Sequence, residues 1–385
     1  MRIVFASTRG AGHLTPLLPF VAAARAAGHD ARIAGPAPLA AAAEGAGVPF
    51  WPVADPDADE LEAVWSRVPS LPPAEQNAVV VGDLFARLHA AAALPRMREL
   101  CATWSPHVVV RDPNEYASAI AAELEGIAHA RVGIGLAASE AQALGWAAGP
   151  VDALRGAAGL PGDPAAERLR ASPWLTLFPA ALEDPADAGQ PDTRRFRDPA
   201  WELPAAELPD WWPDASGPLV YVTFGSVAGG MPMAGQVYRA ALEAVGDLPA
   251  RVLLTVGHGA DLDAFAGAPP NVRVERWVPQ QDVLRHAAAV VCHGGSGSTL
   301  GALAAGVPLV VLPLFADQPA NAARVAAIGA GVAVPPDPAA IREGVRRVLA
   351  DDGLRAGALR VSQALRGRPT VAAAIEQLEA AVARA

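Results

Sequence analysis

Apolar runs of strand length alternate with alanine-rich helical segments along this chain of 385 residues, and the alternation begins twice. In the first half, residues 2–7, 107–110 and 128–134 have the apolar character of buried strands, and residues 14–27 and 116–124 have that of helices. Such alternation predicts a parallel sheet covered by helices on both faces. The first half is therefore predicted to form an α/β domain.

The same pattern restarts at Pro218 and predicts a second parallel sheet. Its strand-like and helical segments are 219–224, 235–245, 252–256, 272–277, 288–292, 299–305 and 309–312. Between the halves, residues 183–218 are rich in Pro and Asp, which favours a linker lying on folded surface. We therefore predict an α/β fold of two doubly wound, Rossmann-like parallel-sheet domains, residues 1–205 and 206–385, with the final helix able to pack back on the first domain.

The composition excludes several kinds of protein. All 30 basic residues are Arg, so a P-loop lysine, a Schiff-base lysine and a lysine general base are unavailable. A net charge of −10 argues against nucleic acid as a partner. The longest uncharged stretch, 287–316, is interrupted by glycines and prolines and is not expected to span a membrane. Because Cys101 and Cys292 lie far apart in sequence, no disulfide framework is expected, and we predict a cytoplasmic protein.

His13 follows the first predicted strand in the stretch GAGHLTP. Open α/β proteins place ligands at the carboxyl edge of a parallel sheet, so His13 is predicted to lie at a ligand crevice. The stretch is a poor dinucleotide fingerprint, because Thr15 stands where a third glycine is needed. A nicotinamide-dependent oxidoreductase is thereby disfavoured, and a loop histidine without function is the alternative.

Asp112 follows the strand-like run 107–110 and is expected at the same edge of the first sheet. A carboxylate there can accept a hydrogen bond from one ring nitrogen of His13, fix the tautomer and raise the basicity of the other nitrogen. His13 and Asp112 are therefore predicted to be a general base and its orienting acid. The alternative is that Asp112, Pro113 and Asn114 form an ordinary turn.

The strongest signal is the stretch CHGGSGSTL, which lies between a buried strand and a helix. The free N–H groups of a glycine-rich loop and of a helix start converge on one spot and bind phosphate without a positive side chain. The alternative is a serine-rich helix cap. The predicted phosphate-contacting residues are His293, Gly295, Ser296, Gly297, Ser298 and Thr299.

Loops at neighbouring strand ends supply groups that suit a nucleotide sugar. A Trp at a strand end can stack on a planar base, and amide, carboxylate and hydroxyl side chains can hydrogen-bond base edges and sugar hydroxyls. The residues concerned are Ser226, Trp277, Val278, Gln280, Asp317 and Gln318.

With these motifs the sequence resembles the inverting glycosyltransferases of the GT-B fold, in the bacterial natural-product branch of the nucleotide-sugar-dependent superfamily. WVPQ, HGGSGSTL, AAGVP and PLFADQ stand in the family order and spacing, and GAGHLTP is an independent match. The resemblance covers nearly the whole chain. It implies two domains facing each other across a cleft, with the acceptor-binding domain first and the domain that binds the nucleotide-sugar donor second.

The resemblance also implies a role for each matched residue. His13 would be the catalytic base, assisted by Asp112, and Trp277 would stack on the nucleobase with Gln280 beside it. The remaining implied contacts are His293, Gly295, Gly297 and Ser298 to the diphosphate with Ser226 opposite, and Asp317 and Gln318 to the donor sugar.

One departure from the family pattern concerns the donor. Gly301 stands where many relatives carry a Glu that binds ribose hydroxyls, which favours a dTDP-sugar over a UDP-sugar. The predicted reaction is transfer of a deoxy- or aminodeoxyhexose from the nucleoside diphosphate sugar to an acceptor hydroxyl, with inversion and without a cofactor or metal. Asp57 with Asp59, and Asp261 with Asp263, imitate a metal-binding Asp-x-Asp motif but are expected to be solvated acidic turns.

The acceptor is expected to be a small apolar natural product. Residues 51–95 and 139–172 are predicted to be loops that shape its pocket. A UDP-sugar-dependent transferase, a sugar-nucleotide epimerase of the same fold and a catalytically silent binding protein stay open as alternatives, and so does a homodimer. The residues expected to line the pocket, unless they are ordinary core aromatics, are Trp51, Trp65, Phe85 and Trp146.

Overall fold

A computed structural model describes residues 1–186, 192–212, 217–225 and 234–384, and the chain forms two compact units. The first unit consists of Met1–Phe178, Pro185–Asp198 and Pro369–Ala385, and the second of Pro179–Asp184 and Pro199–Arg368. The sequence placed the boundary between the domains near residue 205 and allowed the final helix to pack back on the first domain. In the structure the chain passes from one unit to the other four times, and each crossing directly precedes a proline.

The first unit is built on a sheet of seven strands, in which every described strand pair is parallel. The sheet order is β3-β2-β1-β4-β5-β6-β7. The strands are β1 Arg2–Ala6, β2 Asp30–Pro36, β3 Phe50–Val53, β4 Val108–Arg111, β5 Ala128–Gly133, β6 Trp174–Thr176 and β7 Thr193–Arg195.

Helices connect and cover these strands. The α-helices are α1 Ala11–Leu14, α2 Leu18–Ala26, α3 Ala40–Gly45, α4 Ala58–Trp65, α5 Pro73–Val79, α6 Ala90–Trp104, α7 Ala117–Leu124, α8 Ala137–Ala157 and α9 Glu167–Ala171, with a π-helical segment at Val80–His89. One core cluster joins Val4 of β1 to Leu100 of α6 and Ile120 of α7. A sheet buried on both faces is what the continuous apolar strands predicted.

The second unit repeats this plan with six strands. Its sheet order, β10-β9-β8-β11-β12-β13, is the Rossmann order, and every described strand pair is parallel. The strands are β8 Leu219–Thr223, β9 Arg251–Thr255, β10 Val272–Glu275, β11 Ala287–Cys292, β12 Leu309–Val311 and β13 Gly331–Ala333.

Six α-helices accompany the second sheet among the described residues, and one more follows in the first unit. The former are α10 Ala234–Val245, α11 Gln280–Leu284, α12 Ser296–Ala305, α13 Gln318–Ala327, α14 Pro338–Ala350 and α15 Asp352–Arg366, and the last is α16 Val371–Val382. Short 3-10 helices lie at Thr15–Leu17, Ala37–Leu39, Val68–Ser70, Pro199–Glu202 and Leu262–Phe265.

Two regions predicted to be loops are largely helical, so that prediction was wrong. Residues 51–95 contain α4, α5 and the π-helical segment, and residues 139–172 contain most of α8 and all of α9. Pro95 and Pro150 lie inside α6 and α8, although a proline commonly kinks or ends a helix. Tertiary packing outweighs this local signal. At Gly82 of the π-helical segment, an added Cβ would lie 3.2 Å from the Trp146 carbonyl oxygen of α8.

Within the described residues, one continuous helical stretch, Glu75–Trp104, is long and apolar enough to cross a membrane by length and composition alone. Half of its most apolar window is buried inside the structure. A core helix of a globular unit meets the same criteria, so this stretch is weak evidence for a membrane span.

Candidate active site

The carboxyl end of β1 is the natural ligand site of the first unit. The chain leaves β1 toward β2 on one side, while β4 lies on the other, so the strand order reverses there. Ligands of open α/β sheets bind at such a switch point. Gly10, with φ of +120°, turns the chain from β1 into the short helix α1, which carries His13. A positive φ of this size favours glycine.

Asp112 directly follows β4, and the structure brings it next to His13. The distance from His13 Nδ1 to Asp112 Oδ1 is 3.2 Å, and the carboxylate is fully buried while the ring is 16% exposed. The backbone N–H of Thr8 donates to Asp112 Oδ2 at 2.7 Å, and that of Asn114 donates to Oδ1 at 2.8 Å. Because a carboxylate only accepts, Nδ1 carries the proton and Nε2 keeps a free lone pair. The pair therefore has the geometry of an oriented general base.

Arg111, which sequence reasoning missed, holds the turn that carries Asp112. Its Nη1 donates to the carbonyl oxygens of Asp112, Pro113 and Glu115, each at 3.1 Å. Arg111 is buried, which lowers its pKa, and the neighbouring Glu115 carboxylate partly opposes that effect. Burial also raises the pKa of Glu115 to about 7. The single sequence signal for this arrangement was an Arg at the end of an otherwise apolar strand.

The π-helical segment supplies the neighbours of His13. The ring of Phe85 meets His13 edge-on, with centroids 5.0 Å apart, and lies 6.1 Å from the ring of His89. Phe85, His89 and Thr8 line a narrow cavity beside Asp112, and the buried Thr8 hydroxyl has no hydrogen-bond partner in the described part of the chain. Burial lowers the pKa of His89, which Asp55 partly counteracts.

Of the four aromatic residues expected to line an acceptor pocket, only Phe85 reaches this cavity. Trp51 and Trp146 pack against the core of the first unit, and the Trp51 indole N–H donates to the Arg96 carbonyl oxygen at 3.1 Å. Trp65 is 48% exposed. For Trp51 and Trp146 the alternative of ordinary core packing describes the structure better.

In the second unit the switch point lies between β8 and β11. His293 follows β11, and its ring fits between two glycines. A Cβ at Gly225 would lie 3.0 Å from His293 Cε1, and a Cβ at Gly295 would collide with the ring nitrogen Nε2. Gly294 has a φ of +87°, and its Cβ would meet Val311 Cγ1 at 2.7 Å. Steric contacts therefore leave no room for a Cβ at either glycine of the HGG stretch.

The start of helix α12 presents backbone N–H groups in the way that phosphate-binding loops do. The backbone N–H groups of Ser296, Gly297 and Ser298 precede the first intrahelical hydrogen bond, from Thr299 N to the Gly295 oxygen at 3.0 Å. The N-cap residue is Gly295, and the described contacts give α12 no side-chain cap, which removes the alternative of a serine cap. Such N–H groups and the helix dipole attract an anion. Ser226 lies outside the described residues.

His293 is neutral at pH 7, because burial lowers its pKa to about 4. Its Nδ1 is buried without a hydrogen-bond partner in the described part of the chain. A neutral imidazole can donate one hydrogen bond to a phosphate but adds no positive charge. An anion at this loop would therefore be held mainly by backbone N–H groups.

Asn321, a second residue missed from the sequence, ties the loop to α13. Its fully buried amide donates to the Gly294 carbonyl oxygen at 2.8 Å and to Asp317 Oδ2 at 3.0 Å. Ser296 Oγ lies 3.4 Å from the same carboxylate oxygen. The Gln318 side-chain oxygen accepts from the backbone N–H groups of Leu314 and Phe315, at 2.8 and 3.0 Å. Gln318 thus shapes the loop that presents Asp317, and its oxygen is not available for a sugar.

Trp277, the predicted stacking residue, is 59% exposed. The His258 ring lies nearly parallel to its indole, with centroids 6.0 Å apart. Gln280 begins α11 and donates from Nε2 to the Gly297 carbonyl oxygen at 3.2 Å, so the WVPQ segment is attached to the phosphate loop. Val278 borders a cavity next to Trp277. A Cβ at Gly301 would collide with Gln280 Nε2, so Gln280 fills the space that a larger residue there would need.

The two Asp-x-Asp sequences have structural roles. The Asp57 carboxylate accepts from the Asp59 backbone N–H at 2.9 Å and caps α4, and Asp261 accepts from Asp263 N at 3.1 Å and caps a 3-10 helix. Among the described residues, no group of three or more His, Cys, Asp or Glu side chains could hold a metal ion.

Two Rossmann-type units, one with a His–Asp pair and one with a glycine-rich helix start, are what a GT-B glycosyltransferase of the bacterial natural-product class contains. Comparison with protein families gives the particular family. The model described as "Erythromycin biosynthesis protein CIII-like, N-terminal domain" matches residues 22–169, and the corresponding C-terminal-domain model matches residues 239–381. The chain belongs to this family.

Individual relatives agree with that assignment over nearly the whole chain. It is 32% identical to the L-demethylnoviosyl transferase of Streptomyces niveus, over 99% of this chain and 98% of the relative. It is 31% identical to the 3-alpha-mycarosylerythronolide B desosaminyl transferase of Saccharopolyspora erythraea, over 97% and 96%. The crystal structure of the glycosyltransferase SnogD from Streptomyces nogalater is 30% identical, covers 99% of both chains and superimposes with a TM-score of 0.78.

Proposed function

We propose that this glycosyltransferase moves a deoxyhexose from a dTDP-sugar to a hydroxyl group of a small apolar natural product, with inversion at the anomeric carbon and without a metal ion. Relatives that match nearly the whole chain are named for the transfer of demethylnoviosyl, desosaminyl and mycaminosyl groups, which supports a deoxysugar. The observation that carries the proposal is the His13–Asp112 pair at the switch point of the first sheet.

In the proposed reaction His13 acts on the acceptor. Nε2 takes the proton of the acceptor hydroxyl while its oxygen attacks the anomeric carbon. Asp112 keeps Nδ1 protonated and orients the ring, and it stabilises the imidazolium that forms. The bond from the anomeric carbon to the diphosphate oxygen breaks on the opposite side, which inverts the configuration.

The leaving dTDP carries away the electron pair of that bond. Its diphosphate is proposed to lie at the start of α12, where the N–H groups of Ser296, Gly297 and Ser298 meet the charge that develops. Asp317, oriented by Asn321, is proposed to bind the sugar hydroxyls. Gln318 positions that loop in this scheme.

The preference for dTDP rests on Gly301 and Gln280. The family carboxylate that binds ribose hydroxyls is absent, and the Gln280 amide occupies the space above Gly301. A hydrogen bond to a charged group contributes about 1.5–3 kcal/mol, so a 2′-hydroxyl gains little at this position. We expect dTDP to bind at least as tightly as UDP.

Calorimetric titration of the protein with dTDP and with UDP tests the donor. Equal or tighter binding of dTDP supports the proposal, and a tenfold preference for UDP would replace the donor with a UDP-sugar. Binding of neither nucleotide would contradict nucleotide-sugar transfer altogether. Release of dTDP from a dTDP-deoxyhexose, measured with a panel of aromatic and polyketide aglycones, then identifies the acceptor class.

We also propose that the enzyme acts in the cytoplasm. Cys101 and Cys292 are free and buried, and burial raises the pKa of each thiol to about 12. Neither thiol needs an oxidising compartment for its role in packing.

A further inference from the structure

The second unit contains a cavity of about 410 Å³, and several of its lining residues have no part in the proposed reaction. Part of its lining follows β10 and consists of Trp277, Val278 and Pro279. The rest comes from the stretch that precedes β8, namely Leu208, Pro209 and Trp211 with nearby carboxylates. The volume lies within the usual range for small-molecule sites, about 300–1,000 Å³.

The stretch that precedes β8 is fixed against α11. The backbone N–H of Ala206 donates to Asp282 Oδ1 at 2.9 Å, and Arg285 Nη2 donates to the carbonyl oxygens of Trp201 and Leu203 at 3.0 and 2.9 Å. Because α11 begins directly after Trp277, Val278 and Pro279, the two parts of the cavity wall are held in register. This stretch therefore behaves as part of the second unit's surface and not as a free tether.

Trp211 is held in place before any ligand arrives. The Trp212 ring meets it edge-on at a centroid distance of 5.5 Å, and the Arg273 guanidinium lies 5.9 Å from the centre of its ring. Trp211 and Trp277 line the same cavity, and no ring contact between them occurs in the described structure. A planar aromatic ligand in this cavity can contact both indoles, and it needs little reorganisation of Trp211 because that ring is already held.

The charges around the cavity decide which end of a nucleotide can enter. Glu207, Glu275 and Asp282 line it, and none of the described lining residues is basic. Glu275 pairs with Arg273 at 2.5 Å, and Asp282 is bonded to Ala206. Carboxylates repel a diphosphate, so the uncharged base enters and the phosphates stay outside. Gln280, bonded to Gly297, links this cavity to the start of α12.

We propose that Trp211 forms a second aromatic wall for the nucleobase of the donor, together with Trp277. The inference rests on the proposed function, since it takes the ligand to be a nucleoside diphosphate. It adds a residue from the segment before β8 to the donor site and makes that segment a determinant of donor affinity.

Calorimetry with dTDP on Trp211→Leu tests the proposal, and Trp65→Leu is the matched control. Leu keeps an apolar side chain at either position, and Trp65 is an exposed residue of the first unit, whereas Trp211 and the cavity lining belong to the second. Base stacking on an aromatic side chain predicts about a tenfold loss of dTDP affinity in Trp211→Leu, a change within about twofold in Trp65→Leu, and substantial recovery in Trp211→Phe. Affinity for inorganic pyrophosphate, which has no base, should be equal in all four proteins.

Three results would overturn the proposal. The first is a dTDP affinity in Trp211→Leu equal to that of the parent protein, together with a loss of affinity in Trp277→Leu. This result would remove Trp211 from the donor site but leave the proposed function intact. The second is an equal loss of dTDP affinity in Trp211→Leu and Trp65→Leu. The third is a loss of pyrophosphate affinity in Trp211→Leu that matches the loss of dTDP affinity, because the change would then act on the whole unit.

Discussion

At the scale of single residues, the histidine of each unit is held in place in a different way. His13 is oriented by a buried carboxylate that two backbone N–H groups and one ring nitrogen share. His293 is enclosed by glycines that leave no room for a Cβ. The sequence revealed both histidines, because each stands in a glycine-rich stretch after an apolar strand. It did not reveal Arg111 or Asn321, whose roles depend on contacts made only after folding.

Gly295→Ala tests the steric account of the phosphate loop. The new Cβ would collide with the His293 ring, and overpacking of this kind typically costs about 1–3 kcal/mol of the free energy of unfolding. Gly297→Ala is the control, because a Cβ there meets no atom within 4 Å and helix propensity favours Ala by up to about 1 kcal/mol. Urea unfolding of both variants measures the difference. Equal stability of the two variants would contradict the account.

The depressed pKa of His293 predicts a pH dependence of stability. The folded-state value of about 4 lies below the ordinary value of 6.5, so at pH 5 the unfolded chain binds a proton that the folded chain does not. The contribution of the neutral His293 ring to the free energy of unfolding is fully present above pH 6.5 and is lost as the pH falls toward 4. Between pH 7 and pH 5, the parent should lose roughly 1–2 kcal/mol more than His293→Asn in denaturant unfolding. Identical losses would show that the ring is not buried in its neutral form.

At the scale of elements, sequence patterns predicted the strands and missed several helices. The predicted strand 252–256 is β9, Arg251–Thr255, and the predicted helix 235–245 is α10, Ala234–Val245, because apolar runs and alanine-rich stretches mark such elements directly. The helix predicted at 299–305 begins three residues earlier, at Ser296, since the serines and glycines of its first turn resemble a loop. The opposite error occurred at residues 51–95, which were predicted to be loops. Their prolines and aromatic residues resemble a loop, but tertiary contacts pack them into helices.

Asp57 distinguishes a helix cap from a metal ligand. Asp57→Ala should lower the free energy of unfolding by about 0.5–2 kcal/mol, because the Asp59 N–H loses its acceptor, whereas Asp57→Asn keeps an acceptor and should be nearly neutral. Transferase activity should be the same in both variants with and without Mg²⁺. Thermal unfolding and a nucleotide-release assay measure the two effects. A loss of Mg²⁺-dependent activity in Asp57→Asn would assign this carboxylate to a metal.

At the scale of the whole molecule, each compact unit is built on a Rossmann-type sheet and carries one group of candidate site residues at the switch point of that sheet. Repetition of the strand and helix pattern made two such units predictable from sequence. The excursion of residues 179–184 into the second unit was not predictable, because it depends on which surface a short segment packs against. Arg324, for example, donates to the carbonyl oxygens of Leu182 and Glu183 and so holds residues 179–184 in the second unit.

Because the proposed base and the proposed donor loop belong to different units, chemistry and donor binding should be separable by mutation. In His13→Ala the acceptor hydroxyl has no proton acceptor, so kcat should fall by roughly 10²-fold or more. Affinity for dTDP should stay within a few-fold, since the residues proposed to bind it lie in the second unit. Asp112→Asn should cost less, because the ring keeps its position but loses its charged partner.

The most direct test of the account is therefore the pair of values kcat and dTDP affinity in His13→Ala, measured with the first hydroxyl acceptor that the aglycone panel yields. The account predicts a large loss of kcat with nearly parental dTDP binding. Full activity of His13→Ala on an acceptor hydroxyl of ordinary acidity would contradict the assignment of His13 and Asp112 as the catalytic base and its orienting acid.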